Sequence, residues 1–446
     1  MKRTLSDYLF KTPARVMSIA ALTVAVAAGC EYVTTPTPAP AQSFKTDSAA
    51  DARLVRVSAE GVNAAEPSVA NAPGGAVYVA WVGHGAGKEA DVWVARFDES
   101  GEREGGPARV NRAAGEASAW RGDPPEVAVA DDGTVYVAWT ARAGETGHAT
   151  TLYLSASRDD GKSFDTPVKV NDDAGVGVHG MHSLAVGHGG RVYLAWLDER
   201  NLHAHEESKT GDTSSAKKAS GGAHGEQNRE VFFAASADGG RTFAQNRRVA
   251  SEACPCCKTA LAVSGEGRVY VGWRQVLPGD FRHIAVASSA DGGETFAAPT
   301  VVSDDRWELR GCPVSGPALA AGDGGVLRVL WYTAGEAGQP GLYGAESNDG
   351  GRTFAPRRVV REGDLSGTPL LLKDERGGLV AVFESAGHSG SKGLSWARLG
   401  EAMSGAGGAP LIAGGESGAA AVGAGRLNVA YVAQGGVWLA SPDGGE

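Results

Sequence analysis

The strongest constraint on this chain is a turn that it writes four times. Ser236-Ala237-Asp238-Gly239-Gly240-Arg241-Thr242-Phe243 follows the pattern S-x-D-x-G-x-[ST]-F, which recurs at 157–164, 289–296 and 347–354, with a truncated copy at 441–445. Each part has a mechanical role. The Asp accepts hydrogen bonds from turn amides, the Gly allows positive φ, and the Phe anchors the hairpin in apolar packing. One such turn would say little. Four in register make the chain an array of one repeated unit.

A second marker runs in step with the first. Val77-Tyr78-Val79-Ala80-Trp81 is echoed at 135–139, 192–196 and 269–273, and looser copies end at Trp331, Phe383 and Tyr431. These β-branched and aromatic runs read as strands. Their terminal aromatics are 58, 57, 77, 58, 52 and 48 residues apart, which counts seven repeats. Removing the polar stretch 202–227 (26 residues) from the long interval leaves 51, so that stretch reads as an inserted loop. Within each repeat a small-residue strand leads through a Gly turn to the aromatic-ended strand. A variable loop, a third strand, the Asp-bearing turn and a fourth strand follow. Four antiparallel strands per repeat predict an all-β chain of propeller blades, seven of them, with six as the alternative. The last repeat stops after its third strand, and Arg53-Leu54-Val55-Arg56-Val57 reads as an orphan fourth strand. The N-terminal strand is therefore expected to complete the last blade and close the ring, hiding the sheet edges.

The first 30 residues stand outside this pattern. Lys2, Arg3, Lys11 and Arg15 precede an apolar run from Met17 to Ala28, too short to span a bilayer comfortably. Ala27-Ala28-Gly29-Cys30 resembles the lipobox of bacterial lipoprotein precursors, which implies a signal peptide over 1–30, lipid on Cys30 and a membrane partner. A Thr/Pro/Ala-rich tether is expected over 31–52, and the propeller over 53–446. This places the mature protein in the cell envelope, periplasmic or on the outer surface. A net charge of −10 argues against nucleic acid as a partner. The expected form is a monomer.

The repeated turns resemble the Asp boxes, or BNR repeats, of sialidase-like β-propellers. The resemblance covers about 53–446 and implies that the boxes join third to fourth strands, on the rim opposite the active-site face. In an up-and-down blade, the loops entering first strands lie on that opposite face. Cys254, Cys256, Cys257 and Cys312 all fall in such loops, as do His179, Met181 and His182. Most other His, including His84, His148, His203, His205, His224 and His388, fall in the second-to-third-strand loops of the same face. Three chemistries fit the four Cys: disulfides, with Cys256 or Cys257 paired to Cys312; a thiolate site for copper or zinc, with His179, Met181 and His182 adding ligands; or redox-active thiols.

An active sialidase would need an Arg cluster for the substrate carboxylate and a Tyr nucleophile. The Arg-Ile-Pro stretch that supplies the first Arg in that family is absent. Arg121, Asp123, Arg282, Glu308, Arg310 and Tyr332 are candidates on the loop-rich face, and none matches a family motif closely enough to receive a role. The expectation is a propeller that binds a metal, a small ligand or a glycan at its channel mouth without sialidase activity. An exo-sialidase or other glycoside hydrolase, and a glycan- or protein-binding module with structural disulfides, are the alternatives.

Overall fold

The computed structural model describes residues 53–441, except 88, 119, 121, 144–148, 174–176, 203–226, 375–376, 386–392, 401–402 and 404. The signal, the Cys30 anchor and the tether therefore lie outside the described residues. So do Arg121, His148, His203, His205, His224, His388 and nearly all of the inserted loop.

The described chain is all-β. Strand β1 is Arg53–Arg56. Next come β2 to β5 (Asn63–Asn71, Val77–His84, Ala90–Phe97, Arg103–Arg109) and β6 to β9 (Glu126–Val129, Val135–Arg142, Thr150–Ser157, Val168–Lys169). They are followed by β10 to β13 (His179–Gly187, Arg191–Asp198, Arg229–Ser236, Arg247–Ala253) and β14 to β17 (Ala260–Val263, Val269–Leu277, Phe281–Ser289, Thr300–Val301). The C-terminal part holds β18 to β21 (Ala318–Ala321, Leu327–Thr333, Gly341–Ser347, Arg358–Glu362), β22 to β25 (Leu365–Lys373, Leu379–Ser385, Gly393–Leu399, Gly405–Ala413) and β26 to β28 (Glu416–Gly423, Arg426–Ala433, Gly436–Ser441).

Each group pairs antiparallel in sequence order to form a four-stranded sheet. The groups β10–β13 and β14–β17 are joined into one eight-stranded sheet by the single pair Ala253↔Gln275. The three last strands gain their fourth from the other end of the chain, with β1 pairing β28 from Arg53↔Ser441 to Arg56↔Trp438. First strands pack on one another in succession, β2 on β6, β6 on β10, and onward to β26, which packs on β2.

The continuous apolar runs follow from sheets covered on both faces. In β7 the alternation of side chains sends Val135, Val137 and Trp139 into a core shared with β3 and β4. Tyr136 and Ala138 face the other way, into a core shared with β11 and β12. The two sequence markers meet between sheets. A Cβ on Gly161 would come within 3.0 Å of the Tyr78 ring, and one on Gly240 within 2.6 Å of Leu154 and 3.4 Å of Tyr136. Both glycines have positive φ, 79° and 76°, so the turn and the neighbouring sheet demand the same residue. All four S-x-D turns join third to fourth strands.

Candidate functional site

First strands do not run straight to the end that the Cys loops occupy. Register shifts interrupt the pairing of β2, β10, β22 and β26 with their neighbours, at Ala65/Ser68, Gly180/Ser183, Ser366/Leu370 and Glu416/Ala419. Glu66, Met181 and Ser417 sit in these bulges at φ values of 50°, 54° and 50°, where a side chain is strained. Bulges of this kind re-aim side chains, and here they surround a cavity of about 520 Å³. Residues of β2, β6, β10, β14, β18, β22 and β26 all line it, so every first strand contributes.

The charged groups on the cavity wall are Glu66, Glu126, Glu384 and Lys258. Glu66 Oε2 lies 2.6 Å from His84 Nε2 and is buried, and Lys258 is paired with Glu126. Hydroxyls of Ser68, Ser183, Thr259, Ser366, Thr368 and Ser417 complete the polar lining. Among the described lining residues there is no Arg, Tyr or Trp. Sequence reasoning missed Glu66, Glu126 and Lys258. Glu66 interrupts the small apolar run Ala64-Ala65 of its first strand with a charged residue, and that break was the available signal.

Beside this cavity lies the sulfur cluster. Cys256 and Cys312 form a disulfide with a Cα–Cα distance of 6.2 Å. Cys254 and Cys257 are free and buried, with Cys257 Sγ donating to Cys254 Sγ at 3.3 Å. Cys254 Sγ is also 3.9 Å from Cys256 Sγ. The bond from Cys257, with help from Arg282 and Arg274, pulls the Cys254 thiol below its ordinary range, while burial pushes Cys257 up. Met181 belongs to the same buried cluster, and its carbonyl accepts from both the amide and the hydroxyl of Thr259.

The two His of the same stretch are engaged elsewhere. His179 Nδ1 is 2.6 Å from the Thr150 carbonyl, and its Nε2 is 3.0 Å from Asp173 and 3.6 Å from Asp198. His182 Nδ1 is 3.1 Å from Asp123 Oδ1, and its Nε2 is 3.2 Å from the Ala138 carbonyl. Burial alone would raise the Asp123 carboxyl, but His182, Lys258 and the Thr140 hydroxyl together outweigh it and hold it low. The structure thus gathers Met181 with the four Cys and gives both imidazoles oxygen partners away from them.

The remaining candidates are dispersed. Arg282 is buried in β16 with Nε on the Leu309 carbonyl at 3.2 Å. Glu308 and Arg310 are exposed and 3.9 Å apart. Tyr332 stacks edge-on against Trp307 and donates to Asp364 at 3.4 Å, with burial first and then Asp364 raising its phenol. Arg200, another arginine following a second strand, is held by Asp198, Asp172 and Asp173. None of these side chains lines the cavity.

Fold and site together define an all-β protein of consecutive four-stranded sheets with a cavity lined by their first strands. No family model matches the sequence, and no curated protein matches it. Solved structures do. A polysaccharide lyase of the ulvan lyase family PL25, described as bound to -[GlcA(1-4)Rha3S]-, is 14% identical with a TM-score of 0.50, covering 75% of this chain and 79% of its own. A protein of unknown function from Dyadobacter fermentans is 14% identical, with a TM-score of 0.48 over 88% of this chain and 99% of its own. The NanB sialidase of Streptococcus pneumoniae is 11% identical, with a TM-score of 0.47 over 87% and 94%. At these identities the likeness is one of fold alone: the chain has the all-β fold of propeller enzymes.

Proposed function

We propose that the chain is a seven-bladed propeller of the Asp-box type, closed by β1, whose axial cavity binds a neutral carbohydrate without sialidase chemistry. In this reading it is held in the cell envelope by lipid on Cys30. The observation that carries the proposal is a cavity lined by all seven first strands, rimmed by strained bulges and hydroxyls. The ligand class, carbohydrate, is taken from the polysaccharide lyase of similar fold. Its charge is argued from the wall. Three carboxylates stand against one ammonium, so an anionic sugar would meet repulsion where a sialidase supplies an Arg cluster. The described wall also lacks a Tyr for nucleophilic attack.

The test is binding of the purified mature protein to a panel of neutral and acidic oligosaccharides, together with a fluorogenic sialoside assay. Neutral sugars are expected to bind, Lys258→Ala to weaken them about tenfold by leaving Glu126 unpaired, and the sialoside to stay intact. Binding confined to acidic sugars, sialoside turnover, or no binding to any sugar would each refute the proposal.

A further inference from the structure

Two arginines near the sulfur cluster pose a charge problem. Arg274 and Arg282 are 0% and 1% exposed. Arg274 donates from Nε to the Ser315 carbonyl at 2.8 Å and from Nη2 to the Tyr332 carbonyl at 2.9 Å, and it lies over the Trp307 ring. Arg282 donates from Nε to the Leu309 carbonyl. The Nη1 atom of each has no partner, and among the described residues no carboxylate pairs with either guanidinium. Two uncompensated positive charges in a protein interior are costly, and they call for negative charge close by. The sulfur cluster lies beside both: the Cys254 amide donates to the Arg274 carbonyl at 2.8 Å, and Arg282 pairs across the sheet with Val276 of the same buried core.

We propose that Cys254, Cys256 and Cys312 form a three-sulfur site for monovalent copper, filled when the Cys256–Cys312 disulfide is reduced. Their Sγ atoms all lie within 4.8 Å of one another, with Cys254 Sγ 3.9 Å from Cys256 Sγ. Once the Cys256–Cys312 bond is reduced, a small separation of those two sulfurs gives the spacing of about 4 Å that trigonal coordination with metal–sulfur bonds of about 2.3 Å requires. Charge selects the ion. Three thiolates around Cu(I) carry a net of about −2, which two guanidiniums neutralise; around Zn(II) they carry about −1 and leave one Arg uncompensated.

The surroundings suit a soft ion. The cluster is packed by Ala253, Trp273 and Val276, with the Met181 thioether in the same core, and its hydrogen-bond donor is the Cys257 thiol. Cys256 and Met181 also line the axial cavity, which gives an ion a way in. Loading balances as follows. Two equivalents of a small thiol reduce the Cys256–Cys312 bond and leave as their own disulfide. Cu(I) then binds as the three cysteines release their three protons.

The test uses mature protein reduced with a small thiol and loaded anaerobically with Cu(I), then challenged with a colorimetric Cu(I) chelator. One copper per chain should be retained, with only sulfur in its X-ray absorption shell. Cys254→Ser and Cys312→Ser should each lose at least tenfold in affinity. Arg282→Met should shift the Cu(I)-over-Zn(II) preference toward zinc, an effect that loss of packing alone would not produce. Should the Cys variants fail to fold, the absorption shell of the wild-type protein decides. Copper stripped by the chelator, nitrogen or oxygen in the shell, retention unchanged in Cys254→Ser, or tighter binding of Zn(II) than Cu(I) would overturn the proposal.

Discussion

Asp238 offers the sharpest test of what the repeated turn does. Its Oδ1 accepts from the Ser236 hydroxyl at 2.7 Å and from the amides of Arg241 and Thr242 at 3.0 and 2.9 Å, and its Oδ2 accepts from the Thr242 hydroxyl at 2.6 Å. The Thr242 hydroxyl bond leads in holding the carboxyl down to about 2, ahead of the opposing cost of burial. Against an ordinary 3.8, that difference would correspond to about 2.4 kcal/mol if none of it were screened. The turn faces solvent, and screening reduces the figure to about 1 kcal/mol. A propeller of roughly 390 residues unfolds with an entropy near 0.8 kcal/mol/K, so Asp238→Ala should lower Tm by about 1 °C at pH 7 in scanning calorimetry. A depressed carboxyl stabilises fully above its unfolded value and loses that contribution as pH falls through the folded one. The difference between wild type and variant should therefore shrink between about pH 4 and pH 2. Carbohydrate and copper binding should be untouched, because the turn lies at the far end of the sheets. A Tm difference that does not change with pH would refute the electrostatic account, and loss of either ligand would refute the structural role.

Two further substitutions probe the mouth and the buried charges. A Cβ at Gly316 would sit 2.1 Å from the Lys258 carbonyl, so Gly316→Ala should cost about 1–3 kcal/mol, read as a Tm drop of about 1–4 °C. Gly311→Ala, whose Cβ would meet nothing nearer than 3.9 Å, is the control and should melt like wild type. Asp305 is fully buried, accepts from the Trp331 indole at 2.7 Å and pairs with Arg357, so Asp305→Ala strands a largely buried guanidinium. A loss of about 3–5 kcal/mol in urea unfolding is expected there, and a loss under 1 kcal/mol would show that water replaces the carboxylate.

The strand order was legible because the repeat supplied a ruler. Boxes and aromatic-ended strands recur at near-constant spacing, and the observed third-to-fourth-strand position of every S-x-D turn follows from that phase. The pairing of Arg53–Arg56 with β28 was legible too, since a three-strand remnant at one end and an orphan strand at the other complement each other. The polar groups of the cavity were not. Glu66, Glu126 and Lys258 belong to no repeated motif, and the bulge that turns Glu66 inward depends on a single positive-φ residue that carries no Gly to mark it.

Phase along the repeat also cannot say which way a side chain points, and the stretch from His179 to His182 shows why. A strand sends neighbouring side chains to opposite faces, and in a stack of sheets those faces belong to different neighbours. His182 turns toward the preceding sheet, where Asp123 and Ala138 receive it, while Met181 joins the Cys of the following one. Residues one position apart, equal in every count made on the sequence, thus serve two separate interfaces. The sequence pattern grouped His179, Met181 and His182 with the Cys as one ligand set because it measured distance along the repeat. The sequence pattern offered Arg282 only as one surface cation among several, and it is burial without a carboxylate partner that sets Arg282 and Arg274 apart. For the proposed thiolate site, a buried cation without a counter-ion is therefore the better guide than the ligand-type residues that surround it in sequence.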